Sequence, residues 1–293
     1  MGTSSAFGGA SGQKPLIPSW LTDDGFGAAP QATPPVQPAV PTNGAPTALP
    51  AAPAERTPVV PSGDSERYSA ARNSFTRFAG SGGSDSRSLG RALSHYVARS
   101  MGGSSQAAIR MGNARASTAN LASFLSDARV NGAQAALRTL NLERLAGRPI
   151  EEIFIGLSDY ICPEGGSIDE GISRDAFMET IADLTAAGIS NIDGLTPDQI
   201  QTVLELYITH AIEARLCNDI GIKAVTFPSD ITAAERVQAQ LRDFIRRGVS
   251  DAVTAVGVNV LSFSREQVMN FVTGVYQSAF DILLQLGEQE AQQ

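Results

Sequence analysis

From Tyr68 to Leu284 the apolar residues recur at three- and four-residue intervals, the period of an amphipathic helix. The clearest stretch is Thr196–Gly221. It opens on Thr196-Pro197-Asp198-Gln199, in which Thr196 can cap, Pro197 suits the first helical position and Gln199 can reach back. Ile200, Val203, Leu204, Tyr207, Ile208, Ala211, Ile212 and Leu216 then form a stripe too wide for one neighbour to cover. Gly221 is a natural left-handed stop. This pattern predicts a central helix with others packed around it.

The flanking segments repeat the theme. Residues 66–82 place Tyr68, Ala71, Phe75 and Phe78 on one face, and residues 87–101 do the same with Leu89, Leu93, Tyr96 and Val97. Gly102-Gly103-Ser104 breaks that helix. A third helix is expected at about 105–111, leading into a fourth through Leu121, Phe124, Leu125 and Ala128. These short arginine-rich helices would be marginal in isolation. Pro149 starts a helix through Ile153, Phe154, Leu157 and Ile161, stopped by Pro163 and Gly165-Gly166. Ser167-Ile168-Asp169-Glu170 is a second capping box, feeding a helix that runs to Gly188. Lys223–Pro228 reads as a connector, too short for more than a single strand. A long helix is expected from about Ala233 through Val253. Ser264-Arg265-Glu266-Gln267 caps the last one, which carries Val268 to Leu284 ahead of Gly287. No series of strands and no fixed-period repeat emerges, so the fold class is all-α.

Composition changes the picture at the N-terminus. Twelve of the sixteen prolines lie in the first 61 residues, and the run 30–61 is a Pro/Ala linker. Residues 1–65 are therefore expected to be a disordered Pro/Ala/Gly-rich tail with a reach of about 45 Å. The expected organisation is this tail, an arginine-rich short-helix segment at 66–147, and an acidic helical domain at 148–293. No apolar run approaches the ~18 residues that span a bilayer, and no secretory signal is evident, so a cytoplasmic protein without membrane partners is expected.

The charge is divided. Residues 1–66 carry −3, residues 67–148 carry +9 and residues 149–293 carry −14, which together make the net charge of −8. Arg110, Arg115, Arg129, Arg138, Arg144 and Arg148 are thus candidates for anion binding. Phe75, Phe78 and Tyr96 are candidates to stack on bases. The competing reading is a basic face docked on the acidic segment or on a partner. No nucleic-acid motif frames these arginines, and lysine occurs only at Lys14 and Lys223.

Most enzyme chemistry fails on inventory. His95 and His210 lie far apart without metal spacing, and His210 sits on the central stripe, where a hydrogen-bonded core role is expected. Cys162 and Cys217 form no C-x-x-C pair, and Cys162 reads as buried and inert. Gly8–Lys14 lacks the Gly-Lys-Ser/Thr step of a phosphate loop. No cofactor and no catalytic residue is expected.

Two features of the tail remain. If Met1 is removed, the chain begins at Gly2, whose amine has a pKa near ~8 and is partly neutral and nucleophilic at cytosolic pH. Glycine also lets the backbone enter a narrow cleft. N-myristoylation fits poorly, because Ala6 stands where that motif wants Ser or Thr. The cluster Pro15–Leu21 holds the lone tryptophan, and Leu16, Ile17, Trp20 and Leu21 read as a docking motif.

Several stretches resemble the QatB family of bacterial Qat anti-phage defence systems. They are MGTSS, PLIPSW, RALSHYV…GGSS…RMG, IEEIFIGLSDYICPEGG, DAFMETIADL and above all ELYITHAIEARLCNDIG. The resemblance covers the chain outside the Pro/Ala linker and is most specific over 149–247. It implies a non-enzymatic protein acting beside an ATPase (QatA), a QueC-like enzyme (QatC) and a TatD-like nuclease (QatD). In related systems QueC-like enzymes attach a deazaguanine-type group to an N-terminal glycine, using ATP. By that resemblance the acceptor here is Gly2, with Thr3, Ser4 and Ser5 as its recognised lead-in. The alternative is an adaptor that brings a nuclease to nucleic acid through the arginine segment.

Overall fold

Both capping boxes form. The Gln199 amide donates to Thr196 Oγ1 (3.2 Å) and the Thr196 amide to Gln199 Oε1 (2.9 Å). At the second box, the Glu170 amide donates to Ser167 Oγ (3.2 Å) and the Ser167 amide to Glu170 Oε2 (2.8 Å). Each pair of bonds satisfies helix-start donors that have no partner within the helix.

The computed structural model describes residues 66–163, 165–221, 229–256 and 265–292. Ten α-helices are found among them: α1 (Ser69–Gly80), α2 (Ser86–His95), α3 (Ser104–Arg110), α4 (Gly112–Asn131) and α5 (Ala133–Thr139), then α6 (Ile150–Ile161), α7 (Ile168–Ala186), α8 (Pro197–Ile220), α9 (Ile231–Val256) and α10 (Arg265–Gln292). A π-helical turn, Tyr96–Ser100, extends α2, and a short 3₁₀ turn, Glu143–Leu145, precedes α6. No strand occurs among the described residues, and the all-α class holds there. The tail 1–65, the connector 223–228 and the capping residue Ser264 lie outside them.

Helix α8 is central, as its stripe predicts. It packs against α4, α7 and α9, and even Glu205 and Glu213 on it are buried. It ends at Gly221, whose φ of 78° is reached at no cost in side-chain clash. An aromatic stack ties three helices together. Phe177 of α7 lies 5.7 Å from Phe154 of α6, stacked, and 6.2 Å from Tyr207 of α8, edge-on. Such pairs add about 0.5–1.5 kcal/mol each beyond the area they bury.

Helix α10 joins the two ends of the described chain, lying against α2, α3, α4 and α9. Residues of the arginine-rich stretch and of the acidic stretch contribute to one hydrophobic cluster, from Ala71 and Phe78 to Val275 and Leu283.

Two elements differ from the sequence pattern. Helix α5 leaves no trace in it, because Ala133, Ala136 and Leu137 are too few and too small to mark a stripe. Gly287 does not end the last helix, which continues to Gln292. Its role is tertiary, because a Cβ on Gly287 would lie 2.7 Å from the Gly90 carbonyl oxygen of α2. A Cβ on Gly90 would in turn lie 2.7 Å from the Gly287 carbonyl oxygen. The two glycines let α2 and α10 cross backbone against backbone. Gly90→Ala is expected to lower unfolding stability by about 1–3 kcal/mol, since backbone carbonyls cannot swing aside. Urea denaturation checks this, and an unchanged midpoint would mean that the crossing is not tight.

Candidate functional site

Gly2, Thr3, Ser4 and Ser5, and likewise Leu16, Ile17, Trp20 and Leu21, lie outside the described residues. The six candidate arginines lie within them, and four of them have partners inside the fold. Arg110 Nη1 donates to the Ser100 carbonyl (3.1 Å). Arg115 Nη1 donates to Thr273 Oγ1 of α10 (3.0 Å) and Nη2 to the Ile109 carbonyl (3.4 Å). Arg129 Nη1 donates to the Leu195 carbonyl just ahead of α8 (3.0 Å). Arg148 Nε pairs with Glu152 at 2.8 Å, both side chains about half exposed. Arg138 and Arg144 are exposed near the end of α5 and in the 3₁₀ turn.

The bonds that end on the Ser100 and Ile109 carbonyls share a physical reason. The last carbonyls of a helix have no partner within it, and arginine reaches them with a fixed fork of donors. Arg72 Nε, also in the basic stretch, donates to the Ile220 carbonyl at the end of α8 (2.8 Å). The Ser100 carbonyl at the end of the π-helical turn takes both Arg110 and Arg67. Arg72, Arg115 and Arg129 thus bind the basic stretch onto α8, α10 and the loop ahead of α8. Phe75, Phe78 and Tyr96 are buried in the core, so none of them can stack on a base. Their spacing marked a helix face, and the face turned inward.

A polar cluster lies where the π-helical turn after α2 meets α7 and α8. Arg215 of α8 donates through Nε to Asp219 Oδ2 (3.0 Å) and through Nη1 to Asp169 Oδ1 at the start of α7 (2.7 Å). The Tyr96 hydroxyl donates to the same Asp219 Oδ2 (2.9 Å). Burial opposes the charge on Arg215, but Asp219 and Asp169 outweigh it and hold its pKa up. Burial, with the Asp219 carboxylate beside it, pushes the Tyr96 phenol well above its ordinary range. The cluster ties the π-helical turn to α7 and α8, and of its groups the Asp169 carboxylate is about half exposed while Asp219, Arg215 and Tyr96 are largely buried.

His210 of α8 is 3% exposed, and its Nε2 lies 2.9 Å from Asp183 Oδ2 of α7. Glu213, one turn on, accepts from Arg242 Nε of α9 at 2.8 Å. This is the hydrogen-bonded core histidine that its place on the stripe predicts. Beside it, a recess of about 230 Å³ between α1, α8 and α9 is lined by Phe75, Glu213, Cys217, Val237 and Leu241. Burial and the Glu213 charge push the Cys217 thiol up to about 12, so it carries almost no thiolate at neutral pH. The Cys162 thiol is also raised by burial, and it donates to the Ser173 carbonyl at 3.4 Å. Among the described residues no group of three or more His, Cys, Asp or Glu side chains could hold a metal ion. No helix among them is long and apolar enough to cross a membrane.

Comparison with known families gives one match. The family described as "QatB: Qat anti-phage system associated protein QatB" matches residues 102–283, from α3 through most of α10. No curated protein and no solved structure matches the chain. The matched span takes in all of 149–247, the stretch of most specific resemblance, and does not reach residues 1–101. Since it covers more than half of the sequence and the helices that build the common core, the chain belongs to the QatB family of Qat anti-phage system proteins.

Proposed function

We propose that this component of an anti-phage defence system is non-enzymatic, a protein substrate whose N-terminal glycine is modified by a QueC-like enzyme of the QatC type. The observation that carries the reading is the sequence Met1-Gly2-Thr3-Ser4-Ser5 on a chain of the QatB family. Removal of Met1 frees the Gly2 amine. In its neutral form that amine attacks a carboxyl group that ATP has activated as an acyl adenylate. The new C–N bond forms, the C–O bond to AMP breaks, AMP leaves and the nitrogen gives up a proton, leaving an amide. Thr3, Ser4 and Ser5 are the residues the enzyme would read. Leu16, Ile17, Trp20 and Leu21 would hold the segment against a partner through apolar contact.

In this reading the helical body acts as an adaptor for the other cytoplasmic Qat components, the ATPase QatA and the TatD-like nuclease QatD. The arginine bonds support it over recruitment through nucleic acid. Arg110, Arg115 and Arg129 are committed to oxygens inside the fold, which leaves fewer guanidinium groups for phosphate.

Mass spectrometry of the chain co-expressed with its QueC-like enzyme is the test. The expected result is an added mass on the peptide beginning at Gly2, lost in Gly2→Val. An unmodified Gly2 under those conditions would remove the substrate role.

A further inference from the structure

Helices α6 and α7 are joined by a short loop and run antiparallel, with Arg174 of α7 on Asp159 of α6 at 3.0 Å near that loop. Along their outer side is an open groove of about 500 Å³, lined by Glu151 and Ile155 from α6 and by Met178, Ala182 and Thr185 from α7. Its floor is apolar. Ile155 is 51% exposed and Met178 38%, so two large apolar side chains face solvent across one shallow channel.

The surroundings of that channel are acidic. Glu151 stands at one end, and Asp175, one turn before Met178 on the same side of α7, stands toward the other. The arginines of this hairpin do not offset these charges, since Arg148 already sits on Glu152 and Arg174 on Asp159. The larger segment 149–293 carries a charge of −14. An apolar channel between carboxylates is complementary to a ligand with an apolar ridge and cationic flanks.

We propose that the α6–α7 groove is a docking surface for a basic amphipathic helix of a partner protein. Along α7, from Met178 to Ala186, the groove runs about 12 Å, or roughly eight residues of helix. That length takes apolar side chains at i, i+4 and i+7 of the incoming helix, with Lys or Arg at the positions between. The groove is built from α6 and α7 alone, and the proposal does not rest on the state of Gly2.

The test uses the full chain and a fluorescent synthetic helix with Leu at i, i+4 and i+7 and Lys at its other solvent positions. Anisotropy titrations compare it with the same peptide carrying Glu for Lys. The expected result is binding of the basic peptide, weakened by salt, and none of the acidic one. Ile155→Asp with Met178→Asp is expected to reduce affinity about tenfold or more. That loss is diagnostic, because added carboxylates would by charge alone attract a cationic peptide. Glu151→Lys with Asp175→Lys should weaken binding as well, whereas Ile231→Asp, on an exposed site at the start of α9, should not. All positions changed are exposed, so unaltered thermal melts are expected to accompany these effects. Gly2→Val should bind as the parent chain does, which separates this result from the fate of the terminus. Equal affinity in the Ile155/Met178 variant would overturn the proposal. So would light scattering that shows a dimer abolished by Ile155→Asp, since the occupant would then be a second copy of this chain.

Discussion

Raising the pH above about 10 is expected to unfold the helical body in one cooperative step, with the buried phenols ionising as it opens. Tyr96, Tyr207 and Tyr276 are all fully buried. Burial pushes each of them above the ordinary tyrosine value of 10.0. In the unfolded chain the phenols release their protons near that ordinary value, while in the folded chain they keep them. The unfolded state then binds fewer protons, so stability falls as pH rises. It is fully present below about pH 10 and is lost progressively toward the raised folded values. Each phenol contributes a slope of up to about 1.4 kcal/mol per pH unit, hence about 4 kcal/mol per unit for the three. Cys217, raised to about 12, acts in the same direction from about pH 9. A domain stable by roughly 5–15 kcal/mol can sustain that slope for only about one to four pH units. Circular dichroism and tyrosinate absorbance, followed together, should change in the same step. Ionisation of these phenols with helix content intact would show that their burial is not what the structure describes.

Asp219→Ala is expected to cost about 3 kcal/mol, a large share of the total stability. The Asp219 side chain is 8% exposed and accepts from Arg215 Nε and from the Tyr96 hydroxyl through the same oxygen. Removing it leaves a largely buried guanidinium with Asp169 and a long bond to the Arg110 carbonyl, and its Nε without an acceptor, beside a buried phenol that has lost its acceptor. The phenol and the Nε–H then bear the desolvation penalty of unmade bonds. The tyrosine share is separable by a double-mutant cycle. Tyr96→Phe should be costly in the parent chain and nearly harmless when Asp219 is already alanine. Purely additive losses would mean that the hydroxyl and carboxylate do not act as a pair.

The helix starts were legible because the groups that form them lie within three residues of each other. Thr196 with Gln199 and Ser167 with Glu170 close reciprocal bonds that no distant packing is needed to bring about. The width of the stripe on α8 likewise showed that several neighbours must cover it, and they do. The same local rules stopped short where the partner is far away in sequence. Gly287 has the look of a helix terminator, yet the helix passes through it because Gly90 of α2 needs the space a side chain would take. Phe75, Phe78 and Tyr96 show helical spacing among arginines, which leaves open whether they face solvent or core.

For the arginines, sequence alone determined the total: a strongly positive stretch followed by a strongly negative one, with a pairing between them as one of two readings. Only the tertiary structure decided which oxygens they meet. Arg72 and Arg115 find theirs 148 and 158 residues along the chain, and Arg72's is a backbone carbonyl. Charge counts cannot foresee such partners, because a helix-end carbonyl becomes available only once two helices have packed at a definite angle and distance. The groove on α6 and α7 has the same origin. Ile155 and Met178 are ordinary members of two amphipathic helices, and they form one channel because the hairpin closes on its aromatic side and leaves them on the other. Bonds that close within a turn or two follow from the order of residues, whereas surfaces and long-range bonds follow from how finished helices settle against each other.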